Sequence, residues 1–521
     1  MLNRRQLLQR AAAAAPAVML SQAALASAQG TNGPGFAGRN LVVFMTDQQR
    51  AVMHFPRGWT QRNLPGYTRL QRNGITFDNA ACNACMCSPS RATFFTGQLP
   101  AHHGVKWTLE EGMPNDQYPQ VELSTDIPNL ANVMSSIGYD VIYKGKFHLT
   151  KPAGETWSPA DLERYGFQGW DPPDAGADQS VPQAGGGTTD NDGRYMHGTD
   201  GVIPYLQSRR PGDRPFCLIV SLVNPHDVLM YPRNFEAAGY DDSWLQGEHI
   251  ELPETFDEDL STKPSVQWRF QKLFGLSGAL GTKARKRNYL KFYANLIKSS
   301  DQYLVEILNT LDAQGLTNDT VVVATSDHGE MGMAHGSMRQ KNFQAYEETL
   351  RVPLVWSNPQ LFPRPRRSNA LVSHVDFLPT VAGLFGAPKQ SAWQGNDYSH
   401  IVKGTSMRPV QDHTIFTFED VQAGQPNPPY LKAPNCVVAL RGQRYKIAET
   451  YDAKGQKPSE WEFYDRKHDP IERRNLAWKG VKRTHEQEMA FKRLHRILEL
   501  EKKTRLKPLP TTPQPQVLPS N

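Results

Sequence analysis

Four short apolar runs punctuate the chain, and each gives way to a polar cluster at its carboxyl end. Asn40-Leu41-Val42-Val43-Phe44-Met45 leads to Asp47, and Tyr139-Asp140-Val141-Ile142-Tyr143 leads to Lys146 and His148. Phe216-Cys217-Leu218-Ile219-Val220 leads to His226, and Thr320-Val321-Val322-Val323-Ala324 leads to Asp327 and His328. Continuous apolar runs of strand length, separated by helical patterns, predict parallel strands buried on both faces. Ligands of such sheets bind beyond the carboxyl ends of the strands, which is where all four polar clusters fall. Tyr289, Tyr293, Leu296, Ile297, Leu304, Ile307, Leu308 and Leu311 recur at near-helical spacing and predict a long core helix from about Arg287 to Ala313, closed by Gly315. Asp376-Phe377-Leu378-Pro379-Thr380 opens another apolar helix. From about residue 396 the texture changes to Pro-rich loops and short runs at 437–440, 445–447 and 461–464, followed by a charged helix near His485–Lys503. The pattern therefore predicts an α/β fold: a mostly parallel sheet flanked by helices over residues 38–395, and a smaller antiparallel subdomain over 396–506. Residues 507–521 carry repeated Pro and few apolar side chains, the composition of a disordered tail.

Length and charge narrow the possibilities. The 521 residues, 21% charged and 10% aromatic, describe a globular chain with room for a large core. No basic stripe with interleaved aromatics appears, which excludes nucleic acid as an expected partner. Lys283-Ala284-Arg285-Lys286-Arg287 is the densest positive run, which a solvated loop and helix start explains about as well as a binding patch. The amino terminus reads as an export signal over residues 1–28. Asn3-Arg4-Arg5-Gln6-Leu7-Leu8 looks like a twin-arginine motif, an Ala-rich apolar stretch follows, and Ala26-Ser27-Ala28 forms an A-x-A cleavage site. Its removal takes away Arg4, Arg5 and Arg10 and reduces the net charge from +6 to +3. The stretch is too short and too mildly apolar for a membrane span, so the expectation is a periplasmic or secreted protein with no stable membrane association.

Five cysteines, an odd number, need a reason in an exported chain: Cys82, Cys85, Cys87, Cys217 and Cys436. Cys82-x-x-Cys85-x-Cys87 allows a zinc knuckle or a redox pair, but no second C-x-x-C exists to complete a zinc site. The run from Cys87 to Gly97, Cys-Ser-Pro-Ser-Arg-Ala-Thr-Phe-Phe-Thr-Gly, has Pro in a first turn and Gly at the far end, the marks of a short helix. Cys87 then sits just before the helix, where the macrodipole favours an anion and lowers a thiol's pKa.

The same run resembles the signature C-x-P-S-R-x-x-x-(L/F)-T-G of the sulfatase family, of the alkaline phosphatase superfamily. Further segments are similar to that family in the same order. They are Met45-Thr46-Asp47-Gln48-Gln49-Arg50, Gly145-Lys146-Phe147-His148-Leu149, Asn224-Pro225-His226 and Ser326-Asp327-His328-Gly329. Lys341 with Tyr346-Glu347-Glu348, and the run from Phe463-Tyr464-Asp465 to Asn475-Leu476-Ala477, complete the set. The resemblance implies an alkaline-phosphatase-like fold and hydrolysis of a small-molecule or saccharide sulfate ester. It also implies oxidation of Cys87 to formylglycine, whose hydrate supplies the nucleophile. One divalent ion, calcium above manganese or magnesium, would be held by Asp47, Asp327, His328 and an oxygen of modified Cys87. Arg91 and Lys146 would steady the nucleophile, while Lys146, Lys341 and His226 would face the sulfate. His226 would protonate the leaving alcohol, and His148 would deprotonate the hydrate to expel sulfate. A formylglycine-generating enzyme and the twin-arginine translocase would be transient partners.

Three departures qualify the likeness. Gln48 stands where many relatives have a second Asp, His328 replaces the Asn common in arylsulfatases, and Lys341 lies five residues before Tyr346, a spacing that varies. Imidazole at 328 admits softer ions than calcium. A histidine here also occurs in related phosphonate monoester and phosphodiester hydrolases, which makes that activity the rival expectation. Taken singly, Asp47 and Asp327 also suit helix caps, and Glu347 and Glu348 suit structural partners for arginine.

Overall fold

The computed structural model describes residues 35–51, 54–110, 120–276, 280–423 and 431–513. The expected export segment lies outside these, as do residues 514–521 of the expected tail. Residues 507–513 lie within them, and Thr512 donates to the carbonyl of His102.

The main sheet has seven strands: β1 (Asn40–Thr46), β2 (Gly74–Ala81), β3 (Asp140–Gly145), β4 (Phe216–Ser221), β5 (Thr320–Ser326), β6 (Leu354–Ser357) and β7 (Arg366–Ser373). Their order is β3-β4-β1-β5-β6-β2-β7. The four runs read from the sequence are the neighbours β3, β4, β1 and β5, all parallel. β6 alone runs the other way, antiparallel to both β5 and β2. Its direction follows from its connection: residues 327–353 remain at the carboxyl edge of the sheet, so the chain re-enters there and pairs Leu354 with Thr325. β2 escapes an apolar-run search because Asp78 and Asn79 interrupt it at a register shift. Since β2 runs parallel to β7 and opposite to β6, its carboxyl end lies on the same edge as those of β1, β3, β4 and β5.

Side chains alternate between the two faces of the sheet. On one face Val42, Phe44, Leu218, Val220, Val322 and Ala324 pack against the long helix, in a core with Phe292, Tyr293, Leu296 and Ile297. On the other, Tyr143 meets Phe95 and Trp356 meets Phe377. Five helices matter below: α1 (Cys87–Thr96), α2 (Ser265–Leu276), α3 (Lys283–Ala313), α4 (Phe377–Phe385) and α5 (His485–Lys503). The long helix thus starts one turn earlier than the apolar spacing indicates, capped by the Thr282 hydroxyl, which accepts from the Arg285 N–H.

A second, antiparallel sheet is formed by β8 (His413–Phe418), β9 (Cys436–Gly442), β10 (Tyr445–Tyr451) and β11 (Glu460–Asp465), in the order β11-β10-β9-β8. One face buries Ile415, Val438, Leu440, Ile447 and Phe463 against Leu494 and Leu498 of α5. The other carries charge inward. Arg441 and Lys446, cross-strand neighbours, both reach Glu347, which Arg466 also contacts at 2.7 Å. This clamp ties the second sheet to the stretch between β5 and β6. No helix among the described residues is long and apolar enough to cross a membrane.

Candidate functional site

The site assembles along the carboxyl edge of the main sheet. β1 ends at Thr46 and delivers Asp47; β3 ends at Gly145 and delivers Lys146 and His148; β5 ends at Ser326 and delivers Asp327 and His328. Gly145 has φ +111°, and a Cβ there would lie 1.9 Å from the Ser221 carbonyl oxygen, so only glycine permits Lys146 to turn in over β4. Gly329 is required for space, because a Cβ would meet the Glu348 carbonyl oxygen at 2.0 Å.

Cys87 is the first residue of α1 rather than its preceding cap, which is Met86, and Gly97 closes the helix with φ +65°. The Cys87 sulfur lies 3.2 Å from His328 Nε2 and 3.7 Å from Asp47 Oδ1. Donor atoms of Asp47, Cys87, Asp327 and His328 all lie within 4.8 Å of one another, and all four residues are buried. His328 Nδ1 faces the carbonyl of Gly329 at 3.0 Å, so it bears the proton and leaves the Nε2 lone pair directed at the carboxylates. Burial holds this imidazole below its usual pKa, and therefore neutral. Two carboxylates and a neutral imidazole converging on one point form a donor set that fits a divalent cation.

Two cations brace the carboxylates. Arg91 donates from Nε to Asp327 Oδ2 at 2.9 Å and from Nη2 to Asp47 Oδ2 at 3.2 Å. Its Nη1 is held by the Lys146 carbonyl and the Ser221 hydroxyl, both at 2.8 Å. Lys146 Nζ stands 2.6 Å from Asp47 Oδ2. Against a large burial penalty, the permanent cations Lys146 and Arg91 hold the Asp47 carboxyl well below the usual range. The Cys87 thiol behaves contrary to the helix-dipole expectation. Burial, reinforced by the charge of Asp47, pushes it up to about 11.

His148 is displaced from this cluster in bonding though not in sequence. Its backbone is left-handed at φ +59°, and Asp174 secures it by accepting from the N–H groups of Phe147 at 2.7 Å and His148 at 2.6 Å. The His148 Nε2 contacts the carbonyl of Leu109, which makes Nε2 the protonated nitrogen. Nδ1 is then a buried acceptor without a hydrogen-bond partner. The Leu109 N–H in turn donates to Ser88 on α1 at 3.0 Å, so helix and imidazole meet at one residue.

His226 is buried, and burial together with the charge of Lys146 holds it well below its usual pKa. Lys341 is buried too, but its Nζ donates to Gln48 Oε1 at 2.7 Å and not to the metal-type cluster. Gln48 also donates to Glu330 Oε2, so it bridges Lys341 and Glu330 and is not a further ligand of the cluster. Cys82 and Cys85 donate to the carbonyls of Thr349 and Lys341, and of the three only Cys87 joins the metal-type cluster, so no zinc knuckle forms among the described residues. All five cysteines are unpaired.

Sequence reasoning misses Asp174, Glu330 and His374, the last with Nδ1 3.0 Å from the Ser90 hydroxyl that anchors the Asp327 carbonyl. None lies in a recognisable motif. Their only signal is a polar side chain inside an apolar neighbourhood, visible once the fold is known.

Comparisons with known proteins identify the family. The family model described as Sulfatase matches residues 39–387, and one described as N-sulphoglucosamine sulphohydrolase, C-terminal, matches residues 335–503. An ulvan-active sulfatase of Formosa agariphila is 26% identical over 473 residues, 88% of this chain and 81% of that protein. A Δ4,5-hexuronate-2-O-sulfatase of Bacteroides thetaiotaomicron is 26% identical over 447 residues, 84% of each. Among solved structures, a 2-O GAG sulfatase superposes with TM-score 0.68 at 20% identity, covering 92% of this chain and 95% of that one. The phosphonate monoester hydrolase of Agrobacterium radiobacter superposes with TM-score 0.61 at 20% identity, over 89% and 96%. The solved structures share the fold, whereas the first family model spans well over half of the sequence, including Asp47, Cys87, Arg91, Lys146, His148, His226, Asp327, His328 and Lys341. The chain therefore belongs to the sulfatase family of sulfuric ester hydrolases.

Proposed function

We propose that this protein hydrolyses a sulfate ester carried by a saccharide, using Cys87 in its formylglycine form and one divalent cation. The observation that supports it most is the placement of the Cys87 side chain at the focus of Asp47, Asp327 and His328, with Arg91 and Lys146 behind the carboxylates. The saccharide follows from the relatives, whose names refer to ulvan and to a hexuronate.

Asp47, Asp327, His328 and an oxygen of modified Cys87 would hold the cation, calcium by its hard carboxylate donors, with manganese admitted by the imidazole. Once bound, the cation supplies Lewis-acid polarisation at the ester and at the nucleophile. The modified Cys87 supplies the hydroxyl that attacks sulfur and the second hydroxyl whose deprotonation releases sulfate. Arg91 and Lys146 keep the anionic oxygens of that residue compensated without moving, since both are already locked to carboxylates. Lys341 and Lys146 face the sulfate oxygens. Burial and Lys146 hold His226 neutral; an anionic sulfate beside it favours the imidazolium, which then gives its proton to the leaving alcohol. His148 offers the unpartnered Nδ1 as the base for the second hydroxyl, held on target by Asp174.

The rival phosphonate or phosphodiester activity requires room for an additional carbon substituent on the transferred group. Phe94 and Phe95 offer none: Phe94 stacks on Phe377 at 4.0 Å, and Phe95 packs among Tyr143, Phe147 and Phe167. We also propose that the protein is exported folded through the twin-arginine pathway after Cys87 is modified, which suits a residue that ends fully enclosed.

Co-expression with a formylglycine-generating enzyme gives a Cys87 peptide that reacts with hydrazide probes. Cys87→Ala lowers turnover by about a thousandfold or more; full activity in protein carrying only free thiol refutes the nucleophile. Activity on a saccharide sulfate is lost on chelation and returns with calcium or manganese. Its kcat/KM exceeds that for a phosphonate monoester, and the reverse ratio assigns the chain to the rival class. Asp174→Asn leaves one acceptor for two N–H groups and lowers kcat by about tenfold to a hundredfold through misplacement of His148, with KM little changed. Lysine at both Arg4 and Arg5 strands the precursor in the cytoplasm, as cell fractionation would register.

A further inference from the structure

A cavity of about 650 Å³ is lined by Trp268, Gln271 and Lys272 of α2, Lys286 at the start of α3, Ser337 and Arg339. Its chemistry is one-sided. Lys272, Lys286 and Arg339 line it, and no acidic residue does so among the described residues. The indole of Trp268 is 41% exposed, unusual for so large an apolar group, and the Lys272 ammonium lies 5.8 Å from its ring centre. The basic run 283–287 divides at this point. Lys283 pairs with Asp257 and Arg287 with Glu251, whereas the half-buried Lys286 makes no ion pair that short: it donates to the hydroxyl of Ser337 at 3.2 Å, lies 4.9 Å over the Phe256 ring and feels Asp257 from farther off. Arg339 donates to the carbonyl of Tyr231.

The wall is built in advance. Met333, His335, Ser337 and Gln340 all have left-handed φ between 48° and 71°, a costly conformation for side-chain-bearing residues that persists only where the surroundings enforce it. Gln271 Nε2 holds the Gly336 carbonyl at 2.6 Å, and His335 is stacked on Tyr346 at 3.6 Å and bonded to Glu258 at 2.8 Å. Both sides of the cavity lead to the same buried carboxylate. Lys286 lies one helical turn before Tyr289, whose hydroxyl donates to Glu330 at 2.7 Å, and Arg339 is followed by Gln340, whose N–H donates to Glu330 at 3.0 Å. Glu330 bonds Gln48, and Gln48 bonds Lys341.

From this we infer that the cavity is a subsite for a second anionic group, a carboxylate or sulfate, on the sugar adjoining the one that loses its sulfate. Trp268 supplies the face on which that sugar's apolar side rests. Cations on a fixed wall bind carboxylate and sulfate oxygens by charge-assisted hydrogen bonds, and the volume suits one saccharide unit. The inference rests on the saccharide reading above and gives it a direction: polyanionic oligosaccharides, in preference to isolated monosulfates.

Calorimetry with a heparin tetrasaccharide on the Cys87→Ala protein, which does not turn it over, reads binding separately from chemistry. Lys272→Ala with Lys286→Ala raises Kd by about tenfold, and Trp268→Ala by a similar factor. A carboxyl-reduced tetrasaccharide identifies the anion: the tenfold difference disappears if the subsite takes a carboxylate and persists if it takes a sulfate. Equal affinity with and without the two lysines, or no binding by the parent protein, overturns the inference. Turnover of 4-methylumbelliferyl sulfate by the unaltered protein tests the sulfatase reading by itself. A chain active on that ester whose tetrasaccharide affinity ignores Lys272 and Lys286 refutes the subsite alone.

Discussion

The guanidinium of Arg91 between the carboxylates of Asp47 and Asp327 is the contact on which the site depends. Two carboxylates sealed from water at the ends of neighbouring strands repel each other, and burial alone would neutralise at least one of them. A planar cation with several donors in fixed directions can serve both at once while spending its remaining N–H groups on the Lys146 carbonyl and Ser221. Lysine has the charge but not that fork. The arrangement keeps Asp47 ionised and both carboxylates oriented, so that they can meet a metal ion without prior rearrangement.

Around this contact the structure is a set of concentric constraints. Asp174 pins the left-handed His148 backbone, and Asp327 together with Tyr293 pins the left-handed Gln48 backbone. Farther out, Glu347 receives Arg441, Arg466 and Lys446, so the second sheet grips the very segment that carries Lys341. The smaller sheet is therefore a strut for one wall of the site as well as a covering for α5.

Much of this was legible in the sequence because the parallel strands are buried on both faces and announce themselves as unbroken apolar runs. β1, β3, β4 and β5 could be read in that way, and with them the edge on which Asp47, Lys146, His226 and Asp327 collect. β2, β6 and β8 could not: β2 is broken by Asp78 and Asn79, β6 is four residues long, and β8 alternates Thr with apolar residues. The residues brought to the site by motif were legible; those that hold them in place were not. Asp174 and Glu330 have no characteristic spacing, because their partners are backbone N–H groups and a glutamine that only the folded chain brings near. The helix dipole likewise suggested an acidic thiol at Cys87, and complete enclosure beside Asp47 reverses its sign.

The reversed strand β6 has a consequence for how such a site can diversify. Residues 327–353 leave the sheet and re-enter it at the same edge, with β5 and β6 paired directly. Lengthening or shortening the interior of that excursion changes no strand's neighbour, direction or register. The excursion begins with Asp327 and His328 and contains the cavity wall and Lys341. The side chains that must stay fixed at the cluster thus sit at its root, while much of the span beyond them is topologically a replaceable cassette, open to rewriting without renegotiating the fold.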